Sequence, residues 1–421
     1  MEILTQHGSI FVIMALVFGG YMCWGIGAND VANAMGTSVG SKAVTVMKAI
    51  IIAAVFEFLG VVLAGGHVTK TIRKGIIDPT TIVDQPHLLV YGMLASLLAA
   101  GFWLMVASWK GWPVSTTHSI VGALVGFAAV GIGVDAVQWS KLAQIVASWV
   151  VSPLLGGLIA FFLMLSVLKL ILNSDKPLLS ARKWGPAYLF LVGFFIALVT
   201  LFKGLKHLDI KLTPVMSLFW SVVMGCMVAA VGHFFMRRVK VDEDAERVFH
   251  FASVEKVFAP MQVITACAMA FAHGSNDVAN GVGPLAAVLS IVDTGTVLQS
   301  SPMPNWVLLI GGGGIVLGLA TMGFRVMKTI GKEITELTPS RGFCAELAAA
   351  ATVVIAWRSG LPVSTTHVTV GAVMGVGMAR GIAALDLRVI GRIVISWLIT
   401  LPVGALLSMI FFYILRSIFG Q

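Results

Sequence analysis

The sequence predicts an all-α integral membrane protein, with about ten to twelve transmembrane helices in two homologous repeats, each containing a re-entrant helical hairpin. Three observations predict it. Of the 421 residues, 58% are hydrophobic and only 11% are charged, with a mean hydropathy of +0.96; soluble domains carry about 25% charged residues. Apolar runs of spanning length, about 20 residues for a helix, recur from end to end. Four short motifs occur twice, in the same order, at nearly constant spacing. Hydrocarbon is the solvent that makes such a composition stable, because it penalises charge and tolerates apolar surface.

The apolar runs fall at about 8–28, 44–65, 88–107, 139–172, 187–207, 213–236, 257–278, 305–331, 343–357 and 389–419. The first follows Met1-Glu2-Ile3-Leu4, which lacks the basic stretch of a signal peptide. It is expected to be the first membrane helix. The run 343–357 is short for a full crossing. Two Gly-rich stretches, 112–134 and 361–382, each open with Pro-Val-Ser-Thr-Thr-His. They are too short, and too polar at their start, for lipid-facing helices. Such segments are tolerated only where protein buries them or they line a cavity, so they read as re-entrant hairpins. The strongly hydrophilic stretch 237–256, with Arg237, Arg238, Asp242, Glu243, Asp244, Glu246 and Arg247, reads as a cytoplasmic linker. The chain therefore divides into a first repeat over 1–172, linking helices and loop over 173–256, and a second repeat over 257–421.

The net charge of +9 comes from Lys and Arg in short segments between helices, such as Lys70 to Lys74 and Arg237 to Lys240. That is the positive-inside pattern and an attraction to anionic lipid. Nothing supplies the basic face with reading elements that nucleic acid would need. Cys23, Cys226, Cys267 and Cys344 lie within apolar stretches without metal spacing, and read as small core residues.

The internal repeat is the strongest observation in the sequence. Asn29-Asp30-Val31-Ala32-Asn33 returns 247 positions later as Asn276-Asp277-Val278-Ala279-Asn280. Val68-Thr69-Lys70-Thr71-Ile72 returns as Val326-Met327-Lys328-Thr329-Ile330, 258 positions on. The segment Gly111 to His118 returns as Gly360 to His367 at an offset of 249, and Ile145 to Trp149 as Ile393 to Trp397 at 248. Two-fold repeats of this kind build many secondary transporters, with the site at the repeat interface.

Asp30 and Asp277 each follow an apolar run directly and so sit at or inside the membrane. An unpaired carboxylate at a helix centre costs about 2.5–3.5 kcal/mol on insertion scales. Helix capping is the ordinary use of such a residue. Two copies flanked by Asn29 and Asn33, and by Asn276 and Asn280, make capping alone a poor account. Small neighbours (Gly25, Gly27, Ala28, Ala32, Ala34) let backbone carbonyls approach, and Asn and Asp oxygens are hard ligands suited to an Na⁺-like cation. All six residues are candidate cation ligands, with Na⁺ expected at Asp30 and Asp277.

The hairpin motifs supply a complementary chemistry. Pro suits the first turn of a helix, so Ser115, Thr116 and Thr117, and likewise Ser364, Thr365 and Thr366, lie at the N-terminal end of a half-helix. Free backbone N–H groups and the positive end of the dipole favour an anion there. Hydroxyls both donate and accept, which suits a tetrahedral oxyanion in mixed protonation states. Capping and packing are the plainer alternative; duplication at both hairpins favours binding. For His118 and His367, holding the hairpin through a backbone hydrogen bond and handling substrate or protons stand equal. Glu57 and Glu346 lie inside apolar runs and are cation-site candidates by default. Glu346 stands 18 residues before Ser364, whereas Leu97 stands 18 before Ser115. One acid therefore serves an asymmetric task, such as an additional cation site.

With its runs Gly27 to Ala34 and Gly274 to Gly281 and both Pro-Val-Ser-Thr-Thr-His segments, the sequence resembles the inorganic phosphate transporter (PiT) family over essentially its whole length. Ser275 and Gly281 depart mildly from Ala28 and Ala34 of the first signature. The resemblance implies symport of inorganic phosphate with Na⁺ in many members and H⁺ in others, in the plasma membrane of a bacterium, with no cofactor beyond the coupling ion. It also implies a homodimer with a moving transport domain, a fixed scaffold and inverted repeats. The apolar runs give six crossings between Asp30 and Asp277, an even number that would leave the halves parallel. The inverted arrangement is the expectation carried forward. Sulfate, a metal–phosphate complex, or H⁺ in place of Na⁺ would fit the same fold. An ion channel is a rival because re-entrant Ser/Thr loops also line pores. No nucleophile–base pair or metal cluster points to an enzyme.

Overall fold

The computed structural model describes residues 2–65, 76–77, 85–203, 213–238, 247–297, 303–358 and 363–420. The Val68 copy of the second motif, the basic segment 70–74, Pro362 and the acidic cluster 242–246 lie outside these described residues. Among them, regular structure is helical apart from one isolated bridge between Ile77 and Val137. Residues 1–172 hold α1 (Glu2–Gly40), α2 (Val46–Ala64), α3 (Pro86–Trp109), α4 (Thr116–Gly131) and α5 (Trp139–Val167, prolonged by a π-helical turn to Leu172). Two linking helices follow, α6 (Pro177–Lys203) and α7 (Pro214–Arg237). The rest of the chain holds α8 (Arg247–Thr294), which begins inside the stretch 237–256 read as a linker, then α9 (Asn305–Thr321), α10 (Gly323–Lys328, prolonged to Glu333), α11 (Pro339–Arg358), α12 (Thr365–Met378) and α13 (Leu387–Phe419).

Among the described residues, seven helices are long and apolar enough to cross a membrane, or eight spans if α9 and α10, bent by 60° at their junction, count as one. Large apolar side chains such as Val150, Phe162 and Leu317 face outward, as lipid requires. The helix starts are written locally: Thr45, Thr213 and Asp386 are N-caps whose side chains accept backbone N–H bonds of the first turn, satisfying donors that the helix itself leaves free.

α1 and α8, which carry the two Asn-Asp-Val-Ala-Asn motifs, pack antiparallel. Gly8 lies against Val292, Gly19 against Leu285 and Gly281 against Cys23. Each motif helix is also crossed by a helix of the opposite half. A Cβ on Gly27 would fall 1.9 Å from the Ile315 carbonyl oxygen, and one on Gly274 would fall 2.2 Å from that of Glu57. Gly318 meets the Trp24 carbonyl at 1.9 Å and Gly60 that of Phe271 at 2.2 Å by the same measure. These contacts are mates: α1 and α8 match at an offset of 247, α2 and α9 at the 258 seen between Val68 and Val326. Only glycine lets backbones touch at such crossings, as small residues do throughout membrane bundles.

The Ser-Thr-Thr segments also exchange partners between halves. α4 lies on α13, with Gly122 against Leu401 and Gly126 against Ala405, while α12 lies on α5, with Gly371 against Pro153 and Gly375 against Gly157. α3 and α4 pack antiparallel, Gly92 against Phe127. Both outer ends of this pair sit beside the end of α13, where Tyr91 stacks on Phe419 and Gly131 meets Phe412. Its inner end lies beside Asn29 and Trp397, well inside the bundle.

This differs from the sequence reading of the first hairpin. The first hairpin spans α3 and α4 rather than residues 112–134 alone, because the turn that joins its arms must bury a helix N-terminus inside the bundle. The run 88–107 forms most of α3, which packs along α4 and is itself long and apolar enough to cross a membrane. α1 and α8 pack antiparallel, whereas the six apolar runs counted from the sequence would leave the two halves parallel. The short run 343–357 is likewise explained, since it forms most of α11, the helix that precedes and packs on α12.

Candidate functional site

The antiparallel packing of α1 and α8 brings Asp30 and Asp277 together in the middle of the bundle, both buried. Between them lies His273, a residue not singled out from the sequence. Its Nε2 is 3.0 Å from Asp277 Oδ2 and 3.3 Å from Asp30 Oδ2, and its Nδ1 is 3.5 Å from Glu57 Oε1. Glu57 arrives on α2 because Gly274 lets that helix touch α8 at Glu57 itself. His273 stands four residues before Asp277, on the same helix face, and that i, i+4 spacing beside a membrane-embedded Asp is the signal that could have revealed it.

The cluster is under-satisfied. Among the described residues, Asp30 Oδ2, Asp277 Oδ2, both Glu57 oxygens and Asn33 Oδ1 are buried without a well-formed hydrogen bond, as are both His273 nitrogens. The imidazole contacts are thus ion-pair contacts at distance, without aligned bonds. Buried oxygens of this kind are costly unless a partner arrives. One ligand atom each from Asp30, His273 and Asp277 lies within 4.8 Å of the others, a spacing that a cation can bridge. Two carboxylates and an imidazole, with Glu57 beside them, form a donor set that can hold a cation.

The four Asn residues divide by role. Asn33 Nδ2 donates to Asp30 Oδ1 at 3.1 Å and to Thr366 Oγ1 at 2.9 Å. Its repeat mate Asn280 donates to Thr117 Oγ1 at 3.2 Å and Thr116 Oγ1 at 3.4 Å. Each therefore ties one motif to the hairpin of the other half. Asn276 donates to Asp277 Oδ1 at 3.0 Å. Asn29 turns away from the cluster: its amide donates to the Trp112 carbonyl (2.9 Å) and Ser108 Oγ (3.2 Å), and accepts from the Val114 N–H (3.1 Å). Its polar atoms hold the turn of the first hairpin, which leaves little for an ion.

At the hairpin tips, Ser115 and Ser364 are N-caps, accepting from the backbone N–H of His118 (3.2 Å) and His367 (3.3 Å). The capping alternative is thus realised for both serines, although a capping hydroxyl keeps its own hydrogen to donate. Thr116 and Thr366 are buried, while Thr117 and Thr365 are half-buried in the first turns of α4 and α12. His118 and His367 meet edge to face at 4.9 Å between ring centres, and His367 stacks on Trp397 at 3.8 Å. Trp397 Nε1 in turn donates to the Pro113 carbonyl at 2.9 Å. The two imidazoles join the hairpins by ring packing. Among the described residues, both nitrogens of His367 and Nδ1 of His118 have no hydrogen-bond partner, so His367 makes no such backbone bond there.

Glu346 forms a second, separate pocket. Thr37 Oγ1 and Ser38 Oγ donate to its Oε1, and Thr265 Oγ1 donates to its Oε2; nearby, Ser41 Oγ donates to Gln262 Oε1 at 2.7 Å. The asymmetry read in the sequence is spatial: Glu57 joins the central cluster and Glu346 does not. In the packing, Ile315 takes the place of Glu57 in the other half.

Comparisons with known proteins identify the family. The profile described as the phosphate transporter family matches residues 26–408. A Haemophilus influenzae protein named as a phosphate permease is 50% identical over 421 residues, covering 100% of both chains. The Arabidopsis thaliana "Inorganic phosphate transporter 2-1, chloroplastic" is 44% identical over 434 aligned positions, covering 96% of this chain and 72% of that protein. A solved structure described as the sodium-dependent phosphate transporter is 42% identical with a TM-score of 0.87, covering 97% of this chain and 100% of the other. The chain thus belongs to the phosphate transporter family, as a multi-span helical membrane protein.

Proposed function

We propose that this phosphate transporter works by symport with a monovalent cation, Na⁺ foremost, through alternating access around the cluster of Asp30, His273 and Asp277. The observation that carries the reading is the buried surplus of negative charge. Asp30, Asp277 and Glu57 surround a single imidazole. With all three ionised, even a protonated His273 leaves two negative charges uncompensated in a medium that screens poorly. A phosphate anion cannot enter beside them until cations do. Coupling then has a physical cause, with cations first and phosphate second.

In this reading Asp30, Asp277 and the free Asn33 Oδ1 hold cations, with Asn276, Asn280 and Glu57 beside them. Phosphate sits between the N-termini of α4 and α12, on Ser115, Thr116, Thr117, Ser364, Thr365 and Thr366. The Glu346 pocket is a further cation site, its carboxylate already ringed by hydroxyl oxygens. The sodium dependence in the description of the structural neighbour supports Na⁺. Orientation follows from the basic residues at one end of the bundle, where Arg182 Nη2 donates to the Arg237 carbonyl at 3.3 Å and Lys169, Lys176 and Arg238 lie close in sequence. The positive-inside rule puts that end in the cytoplasm. A homodimer, implied by the resemblance, belongs to the same proposal and is open to cross-linking in membranes.

Asp277→Asn in proteoliposomes tests the assignment. Loss of Na⁺-driven phosphate uptake is expected, and undiminished uptake would refute it. One observation favours a second reading, a divalent metal carried with phosphate: an imidazole sits between the carboxylates, a donor set that transition metals accept. Uptake of phosphate with Na⁺ alone, against uptake that needs a divalent ion, separates the two.

A further inference from the structure

Thr366 and Thr117 are repeat mates, each the second Thr of its hairpin motif. Both accept an amide hydrogen from the last Asn of the opposite motif, Thr366 from Asn33 at 2.9 Å and Thr117 from Asn280 at 3.2 Å. Thr366 differs in what its own hydrogen can reach. Asp30 Oδ1 lies 3.2 Å from its Oγ1, and the backbone carbonyl of Val114 lies 3.3 Å away. A hydroxyl carries one hydrogen and can serve only one of these acceptors well at a time. The first acceptor belongs to the cation cluster. The second is the residue before Ser115, in the turn of the opposite hairpin. Thr366 is itself buried, so water does not compete for the choice.

We propose that the Thr366 hydroxyl couples the two halves of the site, its hydrogen turning from Asp30 to the Val114 carbonyl when a cation takes Asp30. This rests on the cation–phosphate reading above and names the residue that transmits it. Without a cation the carboxylate is the stronger acceptor, since hydrogen bonds to ionised groups are roughly twice as strong as neutral ones. The second hairpin is then tied to α1. A cation on Asp30 competes for the Oδ1 lone pairs and repels the hydroxyl hydrogen, which makes the neutral carbonyl the better partner. The hydroxyl rotates about its Cβ–Oγ bond and no atom is transferred. The second hairpin is thereby linked to the first at Val114, and two helix N-termini converge on one anion. Coupling that runs through one rotor requires no large motion at the first step.

The test is phosphate binding to the purified full-length protein by calorimetric titration, without Na⁺ and with saturating Na⁺. Wild-type protein is expected to bind phosphate about tenfold tighter or more with Na⁺, within the usual range of coupling between sites. In Thr366→Val that tightening should shrink to about twofold or less, and Thr366→Ser should restore it. Thr117→Val should weaken phosphate binding in both conditions yet keep the tightening. Full Na⁺-linked tightening in Thr366→Val, or in Thr366→Ala should valine pack poorly, overturns the inference while leaving the symport reading intact. Phosphate affinity in wild-type protein that ignores both Na⁺ and pH removes the symport reading, and the inference with it.

Discussion

The side-chain amide of Asn33 donates to the hydroxyl of Thr366 at 2.9 Å, across 333 positions of sequence. One residue belongs to the first Asp motif and the other to the second hairpin, so the bond crosses between the halves. Asn280 and Thr117 form its mate on the other side. Each half reaches the hairpin of the other through the last amide of its Asp motif.

Removing either amide should weaken phosphate handling by a similar amount. Asn33→Ala and Asn280→Ala each lose two hydrogen bonds, of which the one to the opposite hairpin's second Thr contributes about 1 kcal/mol, or about fivefold in affinity. Uptake kinetics should show a higher KM for phosphate in both. A large effect in one and none in the other would count against the cross-paired arrangement.

Asn29 should behave as a support of the hairpin and not as an ion ligand. Asn29→Ala releases the Trp112 carbonyl, Ser108 and the Val114 N–H together. The phosphate KM should rise, by up to about 1 kcal/mol for each bond, while the Na⁺ concentration for half-maximal uptake stays put. A selective loss of Na⁺ affinity would return Asn29 to the cation ligands.

His273→Ala strips three buried carboxylates of their shared partner. Breaking a buried ion pair on one side costs about 3–5 kcal/mol, so the thermal midpoint in detergent should fall. Na⁺ should then raise the midpoint more in the variant than in wild-type protein. A ligand at about 100 times its Kd stabilises by about 2.7 kcal/mol, and the emptier cluster gains most from it. An equal Na⁺ shift in both proteins would show that the ion does not occupy this cluster.

Glu346→Gln should leave phosphate binding at the hairpins in place and reduce the number of cations that cooperate with it. The Thr37, Ser38 and Thr265 hydroxyls would face a neutral amide instead of a carboxylate. The expected record is a lower Hill coefficient for Na⁺ with phosphate KM at saturating Na⁺ within about twofold of wild type, a change under about 0.5 kcal/mol. An unchanged Na⁺ curve would make Glu346 a structural residue.

The glycine crossings can be tested by folding alone. Gly27→Ala or Gly274→Ala places a methyl group into the backbone of α9 or α2, and overpacking costs about 1–3 kcal/mol, or more where backbone must move. Gly20→Ala meets nothing within 4 Å and is the control, because both changes gain the same helix propensity. Equal thermal midpoints for Gly20→Ala and Gly27→Ala would contradict the packing.

Much of this protein is legible in its amino-acid sequence. Composition sets the solvent, because charge is excluded from hydrocarbon whatever the fold. The doubled motifs name Asp30, Asp277 and the Ser-Thr-Thr segments, because a polar residue kept inside an apolar run needs a reason. Local backbone chemistry places Ser115 and Ser364 at helix starts. The tertiary structure decided the rest. His273 enters the cluster, the Asn29 amide turns to Trp112 and Val114, and the helix over 88–107 packs along α4. Each of these depends on which helices touch and at what register, with α1 and α8 matched at one offset and α2 and α9 at another. That register is set by glycines meeting backbone at Ile315 and Glu57, a contact between distant segments. Periodicity reports which face of a helix is buried, but not which residue of another helix lies against it.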